Sequence, residues 1–181
     1  MTKRFLVVAV LLMLVFSTMA LAADSPFVGD PKEEYYMVTF VSGIEYWKGC
    51  FAGMEDAAKL LGVKAIYTGA PQADVNQQVT VLEQVIAKSP AGIAVTCANP
   101  DGLRAPIDKA IEAGIPVVTF DADSPLSNRY CYLGTGNYNA GAMAARYLAR
   151  LIGGKGEVAI STVTGQLNHE ERKAGFTETL A

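Results

Sequence analysis

Short apolar runs alternate along the chain with longer segments in which apolar residues recur every three or four positions. The runs are four to seven residues long and are bounded by glycine, proline or polar residues, which predicts β-strands. These strands are predicted at 35–41, 64–67, 92–96, 115–120, 130–134 and 157–162. The intervening segments have the spacing of helices with one buried face. They predict helices at 45–61, 73–88, 99–114, 138–152 and 168–181.

The regular alternation of strand and helix predicts right-handed βαβ units. The strands are apolar on both sides, as a parallel sheet requires when helices cover both of its faces. We therefore predict a three-layer, doubly wound α/β fold.

The pattern divides the chain into four parts. We expect a signal peptide at 1–22, a flexible leader at 23–34, an N-terminal α/β lobe at 35–134 and the first part of a second, similar lobe at 135–181. A single strand between two helices cannot cover its own faces and edges, so we expect the second lobe to be truncated in this chain.

The first residues have the organisation of a secretory signal. Lys3 and Arg4 precede an apolar run at 5–16, and a small-residue site of the A-x-A type ends at Ala22, where we expect cleavage. The run is shorter than the ~20 residues of a membrane-spanning helix. The first cysteine, Cys50, lies far beyond the cleavage point, which excludes a lipoprotein. We expect a periplasmic protein that is not embedded in the membrane.

Charge and cysteine content narrow the possible functions. The formal net charge is −3 and becomes −5 once Lys3 and Arg4 are removed with the signal, so nothing supports nucleic-acid binding. Cys50, Cys97 and Cys131 are odd in number, so at least one must stay unpaired or pair between chains. Their spacing fits no zinc or redox motif, and we expect buried, small apolar residues without metal or cofactor.

The loops that follow the strands are the places to look for a binding site. In an open parallel sheet, ligands bind at the carboxyl ends of the strands. These loops contain neither a dinucleotide nor a P-loop glycine motif. The first loop instead contains Ser42 and, at its end, Tyr46 and Trp47. An aromatic ring matches the C–H face of a sugar ring, although both rings could instead pack under the loop.

Two carboxylates follow the most apolar strand. Asp121 stands at its carboxyl end, where it can accept two ligand hydroxyls in charge-assisted hydrogen bonds. Asp123 follows two positions later and either binds ligand or forms the turn before Ser124 and Pro125.

The same residues suggest an alternative enzyme. Four apolar residues followed by D-x-D resemble the nucleophile strand of haloacid-dehalogenase-like phosphatases, in which the first Asp attacks phosphorus and the second acts as acid and base. The match has two departures. Pro125 stands where those enzymes have Thr or Val, and the motif follows the fourth strand instead of the first.

Several segments in order resemble one family over most of the chain. They are the signal peptide, the loop 42–47, the run 99–103, the segment 113–121 with Asp123, the crossing 133–137 followed by Ala140 and Gly141, and 171–176. Together they are similar to the ribose-type periplasmic binding proteins.

The resemblance implies a monomeric, two-lobed protein without catalytic residues. Such a protein closes on a monosaccharide and delivers it to the permease of an ATP-binding cassette importer, sometimes also to a chemoreceptor. In that family the sugar lies between aromatic residues that match Tyr46 and Trp47, and an Asp matching Asp121 binds its hydroxyls. Ser42 would be a further polar contact. A sugar-responsive transcription regulator of the same fold would need a helix-turn-helix where the signal peptide stands.

The chain departs from the ribose binders at three points. Its first loop is one residue shorter, Ala122 replaces an Arg, and Glu170 replaces a sugar-contacting Arg. Another pentose, a hexose, a polyol or a furanose-like signal such as autoinducer-2 therefore stays open as the ligand. We expect Asn168 and Glu170 to be the contribution of the second lobe. Family members are longer and cross three times between their lobes, so Ala181 would fall early in the second lobe.

Overall fold

The computed structural model of the chain describes residues 28–181. The predicted signal peptide and the first part of the predicted leader lie outside the described residues. No helix within 28–181 is both long and apolar enough to cross a membrane.

A single parallel sheet organises the first part of the chain. Its strands lie in the order β2-β1-β3-β4-β5, and each neighbouring pair is parallel. The strands are β1 (Glu34–Thr39), β2 (Lys64–Gly69), β3 (Gly92–Val95), β4 (Val117–Phe120) and β5 (Cys131–Leu133). The predicted α/β fold class and the first five predicted strands are confirmed.

Five α-helices accompany the sheet among the described residues, and all lie where the sequence predicts them. They are α1 (Lys48–Leu61), α2 (Val75–Ile86), α3 (Pro100–Glu112), α4 (Asn137–Leu151) and α5 (Leu167–Leu180). A short 3-10 turn, Glu45–Trp47, leads into α1. Asp74 and Asn99 cap α2 and α3, because each side chain accepts a hydrogen bond at 2.8 Å from the backbone N–H three residues later.

The hydrophobic core lies between the central strands and helices α2 and α3. The fully buried members include Val38, Val95 and Val117 from β1, β3 and β4. Leu82 of α2 and Leu103 of α3 pack against them. The predicted inward faces of α2 and α3 are therefore the core-facing ones.

Helix α1 is less buried than its periodicity predicts. The periodicity places Trp47, Cys50, Phe51, Met54, Ala57, Ala58 and Leu61 on its inward face. Of these, only Trp47 and Ala58 are buried, while Cys50, Ala57 and Leu61 are exposed. The helix lies against β2, which is an edge strand of the sheet. An edge strand offers less surface to cover than a central one, so part of the apolar face of α1 stays in contact with solvent.

The part of the chain after β5 contains one wrong prediction. The strand expected at 157–162 does not form, and this segment has no regular secondary structure. A β-strand exists through hydrogen bonds to a neighbouring strand, and no strand among the described residues pairs with this one.

Helices α4 and α5 pack directly on each other through glycine. A side chain at Gly141 would overlap the backbone carbonyl of Arg172, and one at Gly175 would overlap that of Tyr138. The close approach buries Ala142 and Ala145 of α4. The larger apolar residues of α4 face solvent instead; they are Met143, Tyr147 and Leu151.

Candidate functional site

Asp121 lies directly after β4 in an unusual backbone conformation. Its φ is +60°, which is uncommon for a residue other than glycine and costs of order 1–3 kcal/mol. The neighbouring strand β5 holds it there. The Asp121 N–H donates to the carbonyl of Leu133 at 3.1 Å, and the Tyr132 hydroxyl donates to the Asp121 carbonyl at 2.8 Å. Strain of this kind, imposed by the surroundings, is typical of functional positions.

Three loops meet at the Asp121 carboxylate. The Tyr46 hydroxyl, from the loop after β1, donates to Asp121 Oδ1 at 2.8 Å. The Thr96 hydroxyl, at the end of β3, donates to Asp121 Oδ2 at 3.5 Å. The hydrogen bond to Asp121, followed by burial, raises the pKa of Tyr46 above its ordinary value. The carboxyl edge of the sheet thus brings together Tyr46 and Asp121.

The buried side-chain amide of Gln78 holds one of these loops, and the sequence analysis missed it. Gln78 of α2 donates through Nε2 to the carbonyl of Thr96 and accepts through Oε1 from the N–H of Ala98 at 3.1 Å. Gln78 thereby fixes the loop that contains Thr96. The only signal in the sequence is one amide on the apolar face of a helix.

The two aromatic residues of the first loop have different positions. Trp47 is 1% exposed and lies edge-on to the rings of Phe40 and Phe120, with centroid distances of 5.6 and 5.8 Å. Tyr46 is 64% exposed and lies edge-on to Trp47 at 4.7 Å. Trp47 is therefore packed under the loop, which is the alternative that the sequence left open for both aromatic residues. Its buried Nε1–H has no hydrogen-bond partner among the described residues.

Asp123 is engaged in an ion pair. Arg129 donates through Nε to Oδ1 and through Nη2 to Oδ2, both at 2.5 Å. Oδ1 also accepts from the Thr119 hydroxyl at 2.6 Å and from the Ser124 N–H at 2.7 Å. The pair is largely buried, so it fixes the turn between β4 and β5. The sequence analysis missed Arg129, whose signal was a single basic residue shortly before the next strand.

A second group of polar residues surrounds a cavity of about 190 Å³ beside this turn. Asp123, Tyr132, Asn137, Asn168 and Glu171 line it. Burial raises the pKa of Tyr132 above its ordinary value. Of the residues expected from the second lobe, Asn168 thus borders the cavity that Asp123 also lines.

Two other expected site residues, Glu170 and Ser42, are not among those that line this cavity. The Glu170 carboxylate accepts from the Gly165 N–H at 3.3 Å and pairs with Lys173 at 3.9 Å. Ser42 is half-buried, and its backbone N–H donates to the carbonyl of Ala70 at 2.7 Å. Sugar contacts by Ser42 and Glu170 stay predictions.

Asn137 is the most informative residue that the sequence analysis missed. It is the first residue of α4 and is 4% exposed, yet its side-chain carbonyl oxygen accepts no hydrogen bond from the described residues. A buried polar atom without a partner costs about 1–3 kcal/mol. Its amide therefore offers a fixed acceptor at the wall of the cavity.

The cysteines only partly match the expectation. Cys97 is buried, and desolvation raises its pKa to about 12. Cys50 and Cys131 are exposed, which corrects the expectation that all three are buried. All three thiols are free, and residues 28–181 contain no cluster of three or more His, Cys, Asp or Glu that could hold a metal ion.

A family model described as a periplasmic binding protein domain matches residues 35–181. The chain belongs to the periplasmic binding protein family. Members of this family are substrate-binding proteins. The comparisons give no support to the phosphatase alternative.

Similar solved structures show how much of such a protein the chain represents. A sugar-binding protein of a sugar ABC transporter from Bacillus halodurans is 54% identical, with a TM-score of 0.77, and the match covers 82% of this chain and 51% of that chain. AraP, an arabinose-binding protein from Geobacillus stearothermophilus, is 55% identical, with a TM-score of 0.74, 83% coverage of this chain and 52% of that chain.

This chain also covers about half the length of a relative from Escherichia coli (strain K12). The D-allose-binding periplasmic protein is 29% identical over 155 residues, which are 80% of this chain and 50% of the relative. The chain thus spans about half the length of each of these three proteins.

Proposed function

We propose that this protein binds a monosaccharide at the carboxyl edge of its sheet, in the periplasm, for delivery to the permease of an ABC importer. The observation that supports this most is the Asp121 carboxylate, which lies at that edge on a strained backbone and beside an exposed aromatic ring. The similar proteins named for arabinose and allose support a sugar as the ligand.

Asp121 is the principal acceptor in this proposal. A carboxylate has room for about four hydrogen bonds, and the described residues supply two to its side chain. The remaining lone pairs can accept sugar hydroxyls. Tyr46 offers its ring, and Ser42, in the same loop, would add a polar contact.

Asn137 and Asn168 supply the other wall. Both are buried next to a cavity that also borders Asp123, and the carbonyl oxygen of Asn137 lacks a donor. A sugar hydroxyl would satisfy that oxygen. Asp123 serves mainly to hold the turn, because Arg129 and two further donors already occupy its carboxylate.

The test is binding of a sugar panel to the purified protein and to Asp121→Asn. Asn tolerates a positive φ at least as well as Asp, so this change removes the charge without adding backbone strain. We expect arabinose, xylose, ribose, allose, glucose, galactose or tagatose to raise the melting temperature, and calorimetry to show at least ~10-fold weaker binding by the variant.

Asp56→Asn is the matched control. Asp56 is exposed on α1 and, among residues 28–181, pairs with Lys59 alone at 3.2 Å, so the same chemical change there should leave binding unaltered. If no sugar in the panel stabilises the protein, the proposal is wrong. It is also wrong if the protein releases phosphate from phosphate esters with magnesium and Asp121→Asn abolishes that release.

A further inference from the structure

The backbone at Asp121 forms an uncommon tight turn. The N–H of Ala122 donates to the carbonyl of Phe120, two residues back, at 2.7 Å, and Asp121 between them has a φ of +60°. A hydrogen bond across two residues with a positive φ at the middle one defines a γ-turn of the rare, strained kind. Because φ sets the direction in which a side chain leaves the backbone, this turn decides where the Asp121 carboxylate points.

Two hydroxyl groups hold the peptide group between Asp121 and Ala122. The Tyr132 hydroxyl donates to the Asp121 carbonyl at 2.8 Å, and the Thr96 hydroxyl accepts from the Ala122 N–H at 3.4 Å. The Asp121 carbonyl accepts no further hydrogen bond within residues 28–181. The strain of a positive φ is of the same order as the contribution of one hydrogen bond, so loss of the bond from Tyr132 favours relaxation of the turn.

Gly134 leaves the room that the Tyr132 phenol occupies. Tyr132 lies in β5, and Gly134 follows directly after that strand. A Cβ at Gly134 would overlap the hydroxyl oxygen and the ring of Tyr132, and Gly134 has no positive φ that would itself require glycine. The small residue is therefore explained by the phenol. The hydrogen bond to the Asp121 carbonyl thus depends on both Tyr132 and Gly134.

We propose that Tyr132 is a positioning residue of the sugar site, whose hydroxyl holds the γ-turn at Asp121 and thereby aims the carboxylate at the ligand. The bond from Tyr132 goes to the backbone of Asp121, so it occupies none of the lone pairs that would receive sugar hydroxyls. The same turn places the carboxylate 2.8 Å from the Tyr46 hydroxyl. The role of Tyr132 rests on the proposed function of Asp121.

The test uses two variants that remove the same hydrogen bond in different ways. Tyr132→Phe deletes the hydroxyl and keeps the ring, whereas Gly134→Ala keeps the hydroxyl and leaves it no room beside Asp121. Calorimetry measures binding of the sugar from the panel that stabilises the unaltered protein most. We expect ~3- to 10-fold weaker binding by each variant, a smaller loss than in Asp121→Asn, because the carboxylate remains but is no longer held in its direction.

A titration of Tyr46 separates positioning from a direct contact between Tyr132 and the sugar, since Tyr132 also lines the cavity. The hydrogen bond to Asp121 raises the pKa of Tyr46. In the sugar-free protein, this pKa should therefore fall toward its ordinary value in both Tyr132→Phe and Gly134→Ala. Carbon-13 NMR of ring-labelled tyrosine measures it, and the Tyr46 signal is assigned by its loss in Tyr46→Phe.

Tyr130→Phe is the matched control. Tyr130 is 70% exposed, and its N–H donates to the carbonyl of Val117, at the other end of β4 from Asp121. Removal of its hydroxyl should change neither the affinity nor the pKa of Tyr46. Unchanged affinity in Tyr132→Phe, or weaker binding with an unchanged pKa of Tyr46, overturns the positioning role while the binding function stands. An absence of sugar binding by the unaltered protein instead overturns the proposed function itself.

Discussion

The region 28–134 and the region 135–181 have the same alternation of strand and helix in sequence, yet they differ in structure. In the first region five strands pair and helices α2 and α3 cover them. In the second region the two helices α4 and α5 pack on each other, and the expected strand between them stays unpaired. The same kind of pattern thus yields a core in one region and a helix pair in the other.

The difference shows what the apolar face of a helix needs in order to be buried. Leu103 of α3 lies opposite neighbouring strands and is 0% exposed, whereas Met143 of α4, also an apolar residue, is 66% exposed. Burial of an apolar side chain depends on a facing surface, which the sequence of one element does not supply.

The largest expected effect is a cavity in the first region. Leu103→Ala removes a fully buried side chain and should lower the free energy of unfolding by about 2–5 kcal/mol. Urea unfolding followed by the fluorescence of Trp47, the single tryptophan, measures it. Met143→Ala in the second region is the control and should change stability by less than about 0.5 kcal/mol. Equal losses in the two variants would show that the exposed face of α4 is covered in solution.

A smaller effect is expected at the contact between α4 and α5. Gly175→Ala places a methyl group on the carbonyl of Tyr138 and should cost about 1–3 kcal/mol of local stability. Hydrogen exchange of the α4 amides should become faster, while the unfolding midpoint reported by Trp47 in the first region stays the same.

Gly53→Ala on α1 is the control for that variant. A Cβ there meets no atom within 4 Å, and Ala favours a helix over Gly by up to ~1 kcal/mol, so no destabilisation is expected. If Gly175→Ala also lowers the midpoint reported by Trp47, the two regions unfold together and do not behave as separate units.

The smallest expected effect concerns the pH dependence of the loop contact in the first region. The hydrogen bond to Asp121 raises the pKa of Tyr46 above its ordinary value of 10.0. A raised pKa means that the folded state keeps the phenol protonated. Its contribution to stability is therefore complete below the ordinary pKa and is lost as the pH rises through the raised one.

Ultraviolet absorbance titration measures this pKa. The difference between the unaltered protein and Tyr46→Phe isolates the Tyr46 signal, and Asp121→Asn should move that signal to lower pH. Titration of Tyr46 at its ordinary pKa in the unaltered protein would contradict the 2.8 Å contact.

Local patterns were sufficient for most of the fold. The caps at Asp74 and Asn99, and the periodicity of α2 and α3, are properties of neighbouring residues, so their helices begin and end close to where they were predicted. The position of Asp121 directly after a parallel strand was likewise sufficient to indicate it as a candidate site residue, because the carboxyl ends of such strands meet at one edge of the sheet.

The other site residues depend on contacts between distant parts of the chain. Nothing local distinguishes Arg129 from a solvated basic residue until its contact with Asp123 is known. The same holds for Asn137, whose importance comes from its burial without a hydrogen-bond partner for its carbonyl oxygen.

The sequence by itself determined the order of strands and helices, the parallel sheet and the carboxylate at its edge, because these follow from periodicity, capping and the position of residues along the chain. Only the tertiary structure decided that Trp47 lies under the loop while Tyr46 reaches Asp121, and that 157–162 forms no strand. These outcomes depend on which surfaces and hydrogen-bond partners come together in space, and a pattern along one segment contains no information about its partner.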